Sequence, residues 1–197
     1  MNKKIVLNFD DFTSDNNKLD LIHKLKKAIP NLKLTLFAIP VGMPPDFLHE
    51  VSHIGWIEMA MHGVDHSLNE FGMYDKETAI RRIKKGEGIT EHLLVKGFKA
   101  PRWRISKGTL EALKELGYWV ATHPWASKDL AFPPGMRSYR WNVTASMAFP
   151  AEGDLFVHGH IQNVESENIA YRNGLEQNFD KLLKLEGDFK FVSEVVE

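Results

Sequence analysis

The sequence predicts an α/β fold built on parallel strands. Short apolar runs alternate with helical patterns along all 197 residues, which is typical of repeated strand and helix units. Several runs are apolar on both faces, as strands are when a sheet is covered on both sides. Polar residues follow directly after several runs, and a parallel barrel brings these strand ends to one rim, where such folds place their chemistry. We therefore expect an irregular (β/α) barrel of about seven parallel strands rather than the alternative, a doubly wound sheet.

Eight segments are predicted as strands because each is a short apolar run flanked by polar or turn residues. They are 4–9, 33–39, 56–61, 97–100, 118–122, 138–143, 155–157 and 189–192. Segment 138–143 has the weakest pattern of the eight. Three of these strands lead directly into histidines and one into a pair of aspartates, and the candidate site developed below is built on two of those histidines and the aspartates.

Four segments between the strands have the spacing of amphipathic helices. They are 17–29, 75–95, a helix beginning after Ser106, and 173–185. Gly86 and Gly88 predict a kink or break in the second, since glycine is a poor helix former. Ser106 is a suitable N-cap for the third, and Gly117 would end it.

Composition excludes several classes of protein. Lys and Arg number 25 against 26 Asp and Glu, and the pI is near 6.8, so we expect no nucleic-acid partner, because binding phosphates requires a basic patch. The chain has no cysteine, which excludes disulfides and thiolate metal ligands. It carries neither a signal-peptide pattern nor a run long enough to span a membrane. We expect one cytoplasmic domain over 1–197 with no membrane partner; the oligomeric state is not indicated.

Two histidines are spaced to share a metal ion. His62 follows the predicted strand at 56–61, and three residues separate it from His66. If the chain turns helical there, both imidazoles lie on one face. The same spacing is common among surface histidines, which is the alternative for this pair taken alone.

Two adjacent carboxylates follow the first predicted strand. Because like charges repel, Asp10 and Asp11 predict compensation, such as a metal ion bound by one and a cation or shared proton serving the other. A turn or a helix start is the alternative, since Asp is favoured in both. Asp11, His62 and His66 together form the ligand set of a catalytic zinc site with one open position. Zn²⁺ is the first choice, with Co²⁺, Mn²⁺ or Ni²⁺ possible, and hydrolysis is the natural chemistry.

These motifs, in this order, resemble the polysaccharide deacetylases, the NodB-homology amidohydrolases of carbohydrate esterase family four. Asn-Phe-Asp-Asp at 8–11 is similar to the family's first motif, Thr-Phe-Asp-Asp-Gly, and 35–37 is similar to the strand that follows it. Segment 58–66 resembles the second motif, which ends in His-x-x-x-His. Gly-Phe-Lys-Ala-Pro at 97–101 resembles the third, Phe-Arg-x-Pro, and 155–158 resembles the last, a strand ending in histidine.

The resemblance implies a distorted (β/α)7 barrel that removes an N- or O-acetyl group from a sugar. Asp11, His62 and His66 would be its metal ligands. Asp10 would be the general base that takes a proton from the attacking water, and His158 the general acid for the leaving amine.

Further catalytic and substrate contacts follow from the same resemblance. Lys99 would pair with the catalytic base. Pro101 and Arg102, which come next in this motif, are candidate substrate contacts, and a backbone N–H near Arg102 would face the oxyanion. His160 lies two residues beyond His158 and shares its strand face, so it is the alternative acid or a substrate contact.

Trp103 and Trp125 lie in predicted rim loops. Indoles stack well on the faces of sugars, which makes these two residues candidate substrate contacts. Filling of the core beneath the loops is the alternative role for both.

Two departures from the family pattern concern the catalytic residues. Lys99 replaces an arginine, which keeps the charge but loses the bidentate fork, so Asp10 is expected to be held more loosely. The family's fourth motif, an aspartate that orients the acid histidine, has no clear counterpart. Asp129 and Asp154 are weak candidates for the partner of His158.

The sequence thus predicts a metal-dependent deacetylase acting on an acetylated sugar or a related small acylated molecule. Two rivals remain. One is a different metal hydrolase such as a phosphoesterase, because Asp and His ligands serve that chemistry too. The other is a non-catalytic carbohydrate-binding relative, for which Lys99 and the missing fourth motif would mark lost catalysis.

Overall fold

One curled sheet organises the structure, a computed structural model that describes residues 3–123 and 131–197. Within these residues the strands are β1 Lys4–Phe12, β2 Leu34–Ala38, β3 Ile57–His62, β4 Gly97–Lys99, β5 Trp119–Thr122, β6 Ser138–Arg140, β7 Val143–Thr144, β8 Leu155–His160 and β9 Asp188–Lys190. Their order is β6-β5-β4-β3-β2-β1-β8-β7, with β9 paired to β1. All of these strand pairs are parallel, which confirms the predicted irregular parallel α/β fold.

Helices cover the outer face of the sheet. They are α1 Leu19–Ala28, α2 Pro45–Ser52, α3 Lys76–Ile89, α4 Lys107–Glu115 and α5 Phe179–Leu182. Ser106 caps α4 by accepting a hydrogen bond from the Thr109 N–H, and Gly117 follows its end with φ 78°. Both features agree with the sequence prediction. In the described part of the chain, no helix is long and apolar enough to cross a membrane.

The helix expected over 75–95 ends at Ile89, one residue after Gly88, so the break that the two glycines predicted is found there. Gly86 itself stays helical and lies close to Met61: a Cβ there would lie 2.9 Å from the Met61 Cε. Other sequence expectations about these elements were wrong. The expected helix at 173–185 contains only a short 3₁₀ turn and the four residues of α5. The expected strand at 138–143 is divided into β6 and β7, and α2 was not predicted at all.

Side chains alternate between the two faces of the sheet along the regular parts of the strands, as the period of two in a strand requires. Outward-facing residues such as Leu7 and Phe9 pack against α1, α2 and α5 in one fully buried cluster, and Ile83 and Leu110 belong to a second cluster over α3 and α4. Inward-facing Phe37 belongs to a third, interior cluster. At the carboxyl ends of the strands this interior becomes polar, and the candidate site lies there.

Candidate functional site

Asp10 and Asp11 both reach the interior because the end of β1 is irregular. Successive strand residues normally point to opposite faces. Asp11 has φ 64°, and the pairing of β1 with β2 shifts register between Phe9 and Phe12. This irregularity is a β-bulge. It brings both carboxylates close to one atom: the Nε2 of His62 lies 3.8 Å from an Asp10 oxygen and 3.3 Å from an Asp11 oxygen.

Asp11, His62 and His66 converge on one point. The Asp11 Oδ1 lies 3.3 Å from the Nε2 of His62 and 3.2 Å from that of His66. This oxygen is buried, yet among the described residues it accepts no hydrogen bond. Three ligands about 2.0–2.2 Å from a tetrahedral ion would lie about 3.3–3.5 Å from one another. The spacing and the unpaired oxygen therefore fit a divalent cation.

Charge at this point also favours a cation. Burial opposes ionisation of Asp11, but contact with His62 and an amide from Gln162 hold its pKa well below the usual range. Burial likewise opposes charge on His62, yet Asp10 and Asp11 raise its pKa. The carboxylates therefore make this cluster attract positive charge, either a proton on His62 or a metal ion.

The backbone fixes which nitrogen of His62 is available. Its Nδ1 lies 3.0 Å from the carbonyl oxygen of Lys99 in the neighbouring strand β4. A carbonyl oxygen only accepts hydrogen bonds, so Nδ1 carries the proton and Nε2 of the neutral ring keeps its lone pair. That nitrogen is the one beside Asp11, as a metal ligand requires.

His66 is placed by a loop, not by the helix that its spacing suggested. Residues 63–66 are non-helical, with φ 63° at Gly63 and 58° at His66. The buried Glu70 carboxylate accepts hydrogen bonds from the backbone N–H groups of Val64 and His66, each at 3.0 Å. Arg82 donates to the same carboxylate at 3.0 Å. A loop wrapped around one anion thus returns His66 to within reach of His62.

A chain of amides holds the second oxygen of Asp11. The Gln162 Nε2 donates to Asp11 Oδ2 at 2.6 Å, and Asn16 donates both to the Gln162 side-chain oxygen and to the Asp11 carbonyl, each at 2.8 Å. Because Oδ2 is occupied in this way, Oδ1 is left facing the histidines. Asp11 is thereby oriented to offer a single oxygen.

Asp10 is compensated separately, by a buried cation. The Lys99 Nζ donates to Asp10 Oδ1 at 2.6 Å and to the Asn8 side-chain oxygen at 3.0 Å. Lys99 is fully buried, between the rings of Phe37 and Trp103 at 4.4 and 4.6 Å from their centroids. Lys99 contacts Asp10 through one nitrogen, without the two-pronged contact of an arginine, and the expectation that Asp10 is held more loosely for this reason stays a prediction.

His158 and His160 both lie near Asp10, as their shared strand face predicts. Within the described chain, ligand atoms of Asp10, His158 and His160 form a second group no more than 4.8 Å across. The ammonium of Lys99, which contacts Asp10 and lies 3.2 Å from the His158 Nδ1, places a positive charge inside that group. A second metal ion there is therefore disfavoured by charge repulsion.

The partner proposed for His158 at Asp154 was wrong. Asp154 lies just before β8 and accepts a hydrogen bond from the backbone N–H of Lys4. His158 lies four residues further along the extended chain, a distance of about 13 Å. Asp129, the other candidate, lies outside the described residues.

The residues that follow Lys99 differ in how far they are exposed to solvent. Pro101 is buried, and a Cβ on Gly63 would lie 2.6 Å from its Cγ. The Arg102 side chain is exposed, whereas Trp103 is partly buried and its ring lies edge-on to His158 at 5.2 Å. Trp125 lies outside the described residues.

Sequence reasoning missed several residues that build the site. Asn8 and Gln162 were detectable in principle, because each lies two positions from a predicted site residue on the same strand or its extension. Glu70 lies in a loop that has no periodic signal. The Trp141 ring lies 5.4 Å from that of His158 between ring centroids, and its buried indole N–H has no hydrogen-bond partner among the described residues.

Solved structures with this fold include carbohydrate deacetylases and esterases. The chitin deacetylase of the fungal pathogen Colletotrichum lindemuthianum superposes with a TM-score of 0.65 at 16% identity, over 97% of this chain and 86% of that one. The peptidoglycan deacetylase PdaC of Bacillus subtilis gives 0.62 at 17%, over 98% and 89%. A family 4 acetyl xylan esterase of Clostridium thermocellum, solved with a cobalt ion, gives 0.62 at 15%, over 98% and 89%.

No family model and no curated protein matches the chain. At identities of 15–17% the structural similarity establishes the fold. The resemblance drawn from the motifs is thus confirmed as a resemblance of fold, and the chemistry is argued separately from the site.

Proposed function

We propose that the protein is a metal-dependent deacetylase that removes an acetyl group from an N-acetylated sugar or a related small amide. The observation that carries the proposal is the convergence of Asp11, His62 and His66 beside a second, independently compensated carboxylate, Asp10. A purely structural metal site would not need that second carboxylate. An amide hydrolase does, because it must remove a proton from water as the water attacks.

The metal would be held by Asp11 Oδ1 and by the Nε2 atoms of His62 and His66, and Zn²⁺ is the first choice for one oxygen and two nitrogens. A divalent ion bound there supplies a lowered pKa for a water ligand and a positive charge that polarises a carbonyl oxygen. The rest of the reaction depends on side chains of this chain.

Asp10 and His158 are the proposed base and acid. Asp10 accepts a proton from the attacking water, whose oxygen forms a bond to the acetyl carbon. His158 donates a proton to the nitrogen as the carbon–nitrogen bond breaks, so that acetate and an amine leave. A backbone N–H near Arg102 would donate to the oxyanion. Lys99 keeps Asp10 oriented throughout the two proton transfers.

Sugar is the proposed substrate class because the site is bordered by aromatic rings. Trp103 and Trp141 lie beside His158, and the buried Trp141 indole N–H has no hydrogen-bond partner among the described residues. Aromatic faces stack on sugar rings and a polar edge fixes their orientation. The three solved structures described above, each named as a deacetylase or an acetyl esterase, support an acetylated carbohydrate, with His160 as a further contact.

Acetate release tests the proposal. Purified protein, stripped with a chelator and reloaded with Zn²⁺ or Co²⁺, should release acetate from N-acetylglucosamine oligomers only in the loaded state. Asp11→Asn should abolish both metal retention and turnover, whereas Asp20→Asn, at an exposed position of α1, should leave both unchanged. Turnover that is insensitive to the chelator contradicts the metal site. Release of phosphate from aryl phosphates, or sugar binding with no turnover, would favour one of the two rivals.

A further inference from the structure

Lys99 contacts the proposed base and the proposed acid with one nitrogen. Its Nζ lies 2.6 Å from Asp10 Oδ1, 3.0 Å from the Asn8 oxygen and 3.2 Å from the Nδ1 of His158. The lysine and His158 are both buried. In this site one cation therefore connects the two groups to which the proposed reaction gives opposite roles, the base and the acid.

Counting donors defines the state of the histidine. An ammonium has three hydrogens and no lone pair, so each of the three polar atoms around this one can only accept from it. The 2.6 Å contact with the Asp10 carboxylate favours the charged form of Lys99, although burial lowers the pKa of this lysine. Nδ1 of His158 therefore has to accept a hydrogen bond, and the proton of the neutral ring is on Nε2.

We propose that Lys99 is the positioning residue for His158, fixing its ring as the tautomer with a proton on Nε2. It would orient His158 as the aspartate of the family's fourth motif orients the acid histidine, but with the opposite hydrogen-bond polarity. A carboxylate partner would hold a proton on Nδ1, whereas an ammonium requires that Nδ1 be bare. The assignment of the tautomer does not depend on the proposed function, whereas the catalytic consequence of that tautomer rests on the proposed function.

That consequence concerns the origin of the donated proton. A neutral ring that gives its Nε2 proton to the leaving amine becomes an imidazolate unless Nδ1 gains a proton at the same time. Breaking an N–H bond at Lys99 and forming one at Nδ1 supplies that proton. Lys99 then regains one from Asp10, which took it from the attacking water, so that one proton moves in total from water to amine. Burial and the Lys99 charge lower the pKa of His158 well below its usual value, which is consistent with a ring that begins neutral.

Nitrogen-15 NMR of the imidazoles measures the tautomer directly. In the zinc-loaded and in the metal-free protein at neutral pH, the His158 resonances, assigned by their loss in His158→Asn, should show an unprotonated Nδ1 and a protonated Nε2. A proton on Nδ1, or a doubly protonated ring, overturns the proposal. This spectrum of the unaltered protein decides the question even if substitutions at position 99 prevent folding.

Substitutions at position 99 distinguish the hydrogen bond from Lys99 to His158 from a role of Lys99 in packing alone. Lys99→Met should let His158 populate both tautomers, Lys99→Arg should keep Nδ1 unprotonated, and the exposed control Lys85→Met should change nothing. On an acetylated substrate, Lys99→Met should lower kcat about 10²–10⁴-fold, the usual range for losing acid–base catalysis, with little change in KM. An unaltered tautomer in Lys99→Met overturns the proposal. A correct tautomer in a protein without any deacetylase activity would instead contradict the proposed function alone.

Discussion

Replacing Glu70 by Gln tests whether the loop that carries His66 is held by one buried charge. The carboxylate is 1% exposed and accepts from Val64, His66 and Arg82 at 3.0 Å each. A glutamine has one oxygen and one amide that only donates. If the glutamine turns its oxygen toward the loop, its NH₂ group faces the Arg82 N–H. Two donors then meet where Arg82 donated a hydrogen bond to the carboxylate of Glu70.

The cost follows from these contacts. Hydrogen bonds to a charged group contribute about 1.5–3 kcal/mol each, and an unpaired buried donor adds a penalty of about 1–3 kcal/mol, so we expect Glu70→Gln to lower the free energy of unfolding by about 2–4 kcal/mol. In a chain of this size that corresponds to a fall in Tm of about 5–15 °C. Because His66 loses its support, Zn²⁺ affinity should also fall by about 10–100-fold, as it does for other groups that orient metal ligands.

Thermal unfolding of the metal-free protein and calorimetric titration with Zn²⁺ measure the two effects independently. Glu152→Gln removes the same charge at an exposed position and should alter neither. If Glu70→Gln loses stability but binds Zn²⁺ as tightly as the original protein, the loop does not position a ligand and the reasoning is refuted. An unchanged Tm would refute the hydrogen-bond geometry itself.

Four further outcomes are expected. Asp10→Asn should lower kcat for acetate release by about 10²–10⁴-fold while Zn²⁺ affinity, measured by calorimetry, stays close to that of the original protein. Gln162→Ala, which frees Asp11 Oδ2, should weaken Zn²⁺ binding by about 10–100-fold in the same titration. Free Zn²⁺ at about 100 times its Kd should stabilise the stripped protein by about 2.7 kcal/mol, seen as a rise in Tm of about 5–10 °C. Burial raises the pKa of Glu58, although hydrogen bonds from Ser193 and Thr35 oppose the rise. The stability of the original protein relative to Glu58→Gln, measured by denaturant unfolding, should therefore be greatest at low pH and fall as the pH rises above about 4.5.

The strand framework was predictable because its signal is local. The run from Ile5 to Phe9 is apolar except at Asn8, and the two aspartates follow it directly. Strand ends at His62 and His158 were equally visible. Since a parallel sheet brings such ends together, their proximity followed from chain order and the fold class alone.

Other features were not predictable because they depend on contacts between distant segments. The two glycines predicted a break in the second helix but not its position: Gly86 stays helical beside Met61, and the helix ends just after Gly88. The left-handed conformation of Asp11 has no signature in an Asp-Asp pair. The role of Glu70 depends on a loop returning to it, and the contact of Lys99 with His158 depends on the spacing of β4 from β8 across the interior.

Anomalous diffraction from crystals grown with Zn²⁺, recorded above and below the zinc absorption edge, tests the central claim most directly. The account predicts one strong peak within about 2.0–2.2 Å of Asp11 Oδ1 and of the Nε2 atoms of His62 and His66, with Asp10 still paired to Lys99. A peak held by Asp10, His158 and His160, or the absence of zinc from all of these side chains, would contradict it.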